Sequence, residues 1–173
     1  MQPNYSSNRI LLPVRSWFIF ATLLLALLLN MIPVGRVPGI PDWVAVVLAF
    51  WCIHQTLRVG MGAAFLLGLV MDVADGSVLG QHALAYVVLA FIAGGLSRRI
   101  LWFPLMQQAL HVLPMLLGTQ LIMLVVRMSV GGEFPGVLWF LSSFVAAAIW
   151  HPLTYLLLLP QFRPVERDDN RPI

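Results

Sequence analysis

The sequence predicts an all-α, polytopic membrane helix bundle, and three observations carry that prediction. Of 173 residues, 60% are hydrophobic and only 10% are Asp, Glu, Lys or Arg, against about 25% charged in an ordinary soluble domain. Mean hydropathy is +0.90, so the apolar excess belongs in a bilayer rather than around a water-facing core. Apolar segments also recur along the chain, broken by Pro, Gly and Arg, with no room for a soluble domain between them. Residues 1–173 therefore read as a single transmembrane domain.

The first segment, 16–34, follows a polar start, residues 1–15, that carries Arg9 and Arg15. It outwardly resembles a signal peptide, but the apolar stretch runs on through Met31 and Ile32, and Asn30, Pro33 and Gly35 make no small-x-small cleavage site. An uncleaved first span is the reading. The other segments are 42–57, 59–73, 78–97, 104–129 and 136–160. The first, fourth, fifth and sixth reach the ~20 residues needed to cross ~30 Å of hydrocarbon. The second and third offer ~24 Å of helix each, so they either cross a thinned or protein-lined zone or form a re-entrant hairpin with Arg58 at its tip.

Arginine counting favours six spans. With the N-terminus in the cytoplasm, Arg9, Arg15, Arg58, Arg98, Arg99, Arg163, Arg167 and Arg171 are cytoplasmic and only Arg36 and Arg127 lie outside, in keeping with the positive-inside rule. Five spans would put the Arg98-Arg99 pair and the arginines of the tail, residues 161–173, outside. Four spans plus a hairpin would leave Arg58 at depth, at ~2.5–3.5 kcal/mol unless paired or hydrated. Trp17, Trp43, Trp102 and Trp139 stand at segment ends, where headgroup anchors are expected; Trp51 and Trp150 fall within spans and read as packing or lipid contact. The net charge of +3, from ten arginines and no lysine, is thus a topology signal and not a nucleic-acid footprint. Cys52, the single cysteine, has no intrachain partner and reads as a packing residue.

Within the third segment Gly60, Ala64 and Gly68 recur at four-residue spacing, and Ala90 and Gly94 continue the pattern in the fourth. Such ridges let helix backbones approach closely, within the bundle or against a partner. The linker Asp72-Val73-Ala74-Asp75-Gly76-Ser77-Val78-Leu79-Gly80-Gln81-His82 joins these two segments. Asp72 near a helix end opposes the negative pole of the helix dipole. The free N–H groups that open the next helix can compensate it, with Gly76 permitting the turn and Asp75 or Ser77 as N-cap. Asp72 then staples two helix ends together. Asp72, Asp75, Ser77 and His82 also hold the side chains of a hydrolase or cation site, but their spacing matches no nucleophile elbow or metal-ligand motif.

In the fifth segment Gln107, His111, Pro114 and Gly118 share one helical face. That polar face is expected to point into the bundle, as structure or as cavity lining. In the sixth, Pro152 frees the Ala148 carbonyl and predicts a kink beside His151. His54, His82, His111 and His151 raise zinc or a proton path, but no pair stands at ligand spacing. No catalytic residue, cofactor or metal site is expected.

Pro41-Asp42-Trp43, Arg58, the Gly60–Gly68 ridge, Leu67-Gly68-Leu69-Val70-Met71-Asp72, Gly76-Ser77-Val78-Leu79-Gly80 and Gln107-Gln108-Ala109-Leu110 together resemble the bacterial rod shape-determining MreD family over residues 16–160. Asp75 departs from the small or uncharged residue expected there. The resemblance implies a non-catalytic inner-membrane component of the machinery that elongates the side wall and organises peptidoglycan synthesis. It would bind the transmembrane helix of MreC and act, directly or indirectly, with MreB, RodA and the elongation transpeptidase, with both termini in the cytoplasm. The family is also distantly similar to the six-helix substrate-binding subunits of energy-coupled vitamin transporters, which makes a small-molecule or lipid-binding subunit the alternative. An intramembrane enzyme would require Asp72, Ser77 and a histidine to converge.

Overall fold

The computed structural model describes residues 14–32 and 39–161. It contains six α-helices: α1 Ser16–Asn30, α2 Trp43–His54, α3 Met61–Ala74, α4 Gln81–Leu101, α5 Leu105–Ser129 and α6 Leu141–Leu158. Short 3-10 turns over Val137–Phe140 and Leu159–Gln161 flank α6. Three elements, α4, α5 and the stretch Val137–Gln161, are long and apolar enough to cross a membrane, while α1, α2 and α3 are shorter.

The first segment therefore joins the two short ones, contrary to the sequence expectation. At the end of α1, Asn30 ties the helix to the start of α2: Asn30 Nδ2 donates to Asp42 Oδ1 at 2.8 Å and Asn30 Oδ1 accepts from Trp43 N at 2.9 Å. The 15 residues of α1 span ~22 Å. The parts of the sequence reading that concern residues 1–13, Arg36 and the tail from residue 162 lie outside the described residues.

The inner element is α2, in which every residue from Val44 to Ile53 is buried. A helix that is apolar on all sides needs neighbours on all sides, and α1, α4, α5 and α6 supply them. Being enclosed by protein, its ~18 Å length need not match the bilayer. Trp51 Nε1 donates to Thr22 Oγ1 of α1 at 2.9 Å, and Phe50 meets Trp150 of α6 at 6.0 Å between ring centroids. Trp51 and Trp150 are both fully buried, so they pack the core rather than face lipid. By contrast α3 is peripheral. Its buried residues Ala64, Gly68, Met71 and Asp72 form one narrow stripe, and Phe65, Leu66, Val70 and Val73 face outward.

Contacts between helix ends sort them onto two sides. On one, Arg58, in the loop between α2 and α3, donates to the Val14 carbonyl and to Ser16 Oγ at the start of α1. On the other, the end of α1 (Asn30), the start of α2 (Asp42), the end of α3 (Met71) and the first turns of α4 (Tyr86) meet. The helices α1 to α4 thus alternate in direction. Ser142, at the start of α6, accepts from Gln120 Nε2 of α5 and lies with Asp42 around one small cavity, which places the start of α6 on the second side. Arg15, Arg58, Arg98 and Arg99 fall toward the first side; Asp42, Asp72 and Asp75 toward the second.

Candidate functional site

Polar chemistry concentrates on that second side, in the corner between α3 and α4. α3 ends in a Schellman arrangement: Ser77 N donates to the Asp72 carbonyl at 3.0 Å and Gly76 N to the Val73 carbonyl at 3.4 Å. Gly76 takes the left-handed conformation, φ +61°, that this motif requires. α4 then opens on Gly80, whose φ of +97° is again a glycine conformation and which has no side chain to cap the helix.

The cap comes from α3 instead. The Asp72 carboxylate, side chain fully buried, accepts from Gly80 N at 2.7 Å, His82 N at 2.8 Å and Ala83 N at 3.4 Å. It also accepts from Ser77 Oγ at 3.0 Å and lies 2.8 Å from His82 Nδ1. Neither Asp75 nor Ser77 is the N-cap, as the sequence reading had it, because a residue two turns' distance away along the chain already fills that role across the corner. Four backbone and hydroxyl donors and one imidazole converge on one acceptor-only group.

Gly68 makes the approach possible. A Cβ added there would lie 2.5 Å from Ala83 N and 2.7 Å from the His82 carbonyl carbon, so the α3 backbone rests directly on the α4 backbone one turn before Asp72. Ala64 is buried on the same stripe. Ala90 is buried in the core, and Gly94 lies against Thr56, 3.2 Å from an added Cβ. Around Gly60 an added Cβ would meet nothing within 4 Å.

Asp72, Ser77 and His82 do converge within hydrogen-bond reach, but not as a nucleophilic triad. In a triad the imidazole bridges acid and hydroxyl with its two different nitrogens. Here Asp72 Oδ1 and Ser77 Oγ both sit at Nδ1, at 2.8 and 3.3 Å, and Ser77 donates straight to the carboxylate. The remaining nitrogen, Nε2, faces Asp75 at 3.6 Å. This wiring holds a corner and does not form the acid–imidazole–hydroxyl relay of a triad. No group of three His, Cys, Asp or Glu suited to a metal ion occurs among the described residues.

Asp75 stands outside the helices, and its carboxyl is pushed above the ordinary aspartate range. Partial burial is the main cause; the carboxylates of Asp42 and Asp72 add to it and His82 opposes it. A carboxyl whose folded pKa is raised contributes stability that is present below its unfolded pKa and is lost as pH rises through the folded one. Asp75→Asn is therefore expected to leave thermal stability within about 0.5 kcal/mol of wild type, on the stabilising side at neutral pH. Unfolding curves of the two proteins in detergent should converge on acidification.

Two further polar clusters were not read from the sequence. Asp42 caps α2 through Ala45 N at 3.0 Å, and its carboxylate also accepts from Asn30 Nδ2 at 2.8 Å and Tyr86 Oη at 2.7 Å, tying α1, α2 and α4 together. Tyr86→Phe removes a charge-assisted bond between a fully buried hydroxyl and the half-buried Asp42 carboxylate, and a loss of about 1.5–3 kcal/mol in thermal unfolding is expected. In α5, Gln120 donates to Ser142 Oγ and the Trp139 carbonyl and accepts from Ser143 Oγ. Beside these groups Asp42, Thr119, Gln120 and Ser142 line a cavity of about 20 Å³, the size of a single water.

The polar face expected of α5 does not enter the bundle. Gln107 and Pro114 are exposed, and His111 is half-buried, bonds the Gln107 carbonyl at 2.8 Å and stacks on Phe103. The face that enters the bundle is Gln108, Val112, Met115, Leu116, Thr119 and Gln120, one position further along. Gln107 and His111 lie in the first two turns of α5, near the helix end where Trp102 marks the expected membrane–water interface, so their polarity does not mark the inside.

A family model described as rod shape-determining protein MreD matches residues 8–160. A relative from Haemophilus influenzae described as rod shape-determining protein MreD is 30% identical over 152 residues, covering 84% of this chain and 91% of the relative. No solved structure matches.

Proposed function

The chain belongs to the MreD family of rod shape-determining proteins, and on that premise we propose that it is a non-catalytic scaffold of the inner membrane that binds the transmembrane helix of MreC. Through MreC it organises peptidoglycan synthesis with MreB, RodA and the elongation transpeptidase. The observation that carries this reading is the fate of the polar groups between the helices. Asp42, Asp72 and Gln120 are spent on tying helices to one another, and the cavity beside Asp42 and Gln120 is about the size of one water. A bundle whose inter-helix polar groups are committed in this way offers surfaces to a neighbour rather than an interior polar site to a vitamin-sized ligand.

Both termini lie in the cytoplasm in this proposal. It is supported by the clustering of Arg15, Arg58, Arg98 and Arg99 toward one side, as the positive-inside rule requires. A non-covalent scaffold shifts the assembly by contacting one of its conformations better than another. Affinity purification of the full chain from membranes tests the reading: MreC should be recovered in near-stoichiometric amount. A chain that restores rod shape while neither co-purifying nor cross-linking with MreC would contradict it.

A further inference from the structure

We propose that the open groove between α1 and α3 seats one anionic phospholipid of the arginine-rich leaflet, with its phosphate on Arg58 and Ser16 and one acyl chain along the apolar wall. The groove has a volume of about 340 Å³ and is lined by Ser16, Ile19, Phe20, Leu23, Arg58, Val59 and Ala63. That is within the range of small-ligand clefts, ~300–1,000 Å³. The inference goes beyond the scaffold reading and adds a lipid ligand to it.

Charge decides the occupant. Arg58 spends one nitrogen, Nη1, on the Val14 carbonyl and Ser16 Oγ, which fixes the guanidinium on the groove wall, and among the described residues its other donors have no partner. Among the described residues no carboxylate lies within 4.0 Å of it. The planar fork matches a phosphate bidentately, and Ser16 adds a hydroxyl. Below them the wall is apolar from Ile19 to Leu23, reaching ~11 Å along α1 from Ser16, and Phe20 is exposed. A cation at headgroup level above an apolar slot matches a phosphodiester with its acyl chain. An apolar partner helix would cover the wall and leave the guanidinium without an anion.

Native mass spectrometry of the full chain tests this, with phosphatidylglycerol and phosphatidylcholine of identical acyl chains supplied in equal amounts. Wild type should retain one phosphatidylglycerol about fivefold over phosphatidylcholine. Arg58→Gln should erase that preference, and Ala63→Phe, which fills the wall and leaves Arg58 in place, should lower retention of both lipids. Should Arg58→Gln fail to fold, Arg58→Lys carries the test, keeping the charge without the fork and reducing the preference. Equal retention of the two lipids by wild type, or a preference that survives Arg58→Gln, would overturn the proposal. So would a several-fold gain in lipid on neutralising Glu166, Asp168 and Asp169 in the full chain, since the tail would then be the occupant.

Discussion

Replacing Asp72 with asparagine is expected to destabilise the protein by about 3–5 kcal/mol, the range for removing one member of a buried, fully bonded charged cluster. Every group that faces this side chain is a donor: Gly80 N, His82 N, Ala83 N, Ser77 Oγ and the imidazole. Asparagine keeps the size but turns one acceptor into an NH₂ group, which must then oppose donors already in place. For a chain of this length the shift in thermal midpoint should be on the order of 10 °C, read in detergent by circular dichroism. Ser77→Ala removes one donor of several and should cost about 1 kcal/mol. Full stability of Asp72→Asn with loss of cell-shape function would turn the staple reading into a chemical one.

Gly68→Ala should be as damaging for an opposite reason, since it adds an atom instead of removing a bond. The new Cβ would fall inside contact distance of the Ala83 and His82 backbone, and backbone cannot rotate aside as a side chain can. α3 must move off α4, and the Asp72 bonds one turn away stretch with it. A loss of 3 kcal/mol or more is expected, at or beyond the upper end of overpacking costs of ~1–3 kcal/mol. Gly62→Ala and Gly95→Ala are internal controls, because nothing lies within 4 Å of a Cβ at either position. They should be neutral or gain up to ~1 kcal/mol from helix propensity. Thermal unfolding of the three variants side by side separates close approach from a general intolerance of substitution.

The helix count was legible because hydrocarbon imposes it: apolar runs must be helical to satisfy their own backbone, and Pro, Gly and Arg mark their ends. The α3–α4 staple was legible because Asp72 conflicts with its helix dipole and its remedy lies ten residues away in sequence. The cap residue itself was not, since Gly80 has no side chain to announce it. Asn30, Asp42 and Tyr86 were missed as a unit because their partners are 12 and 44 residues apart, although Asp42 before an apolar run carried a local N-cap signal. Periodicity found the polar spacing of α5 but chose its phase wrongly, as residues near a helix end can face water without penalty. The central place of α2 also escaped, because a helix apolar on every face carries no directional pattern.

The central claim is that α2 and α3 each pass from one side of the bundle to the other, with Arg58 and Asp72 at opposite ends. Cysteine labelling at two exposed positions, Leu57 in the α2–α3 loop and Leu79 in the α3–α4 corner, tests it directly. Cys52 is buried and can be replaced by alanine as background. Leu57→Cys should react with a membrane-impermeant maleimide only from the cytoplasmic face and Leu79→Cys only from the opposite face. Labelling of both from one face, or protection of position 57 from either, would contradict the account.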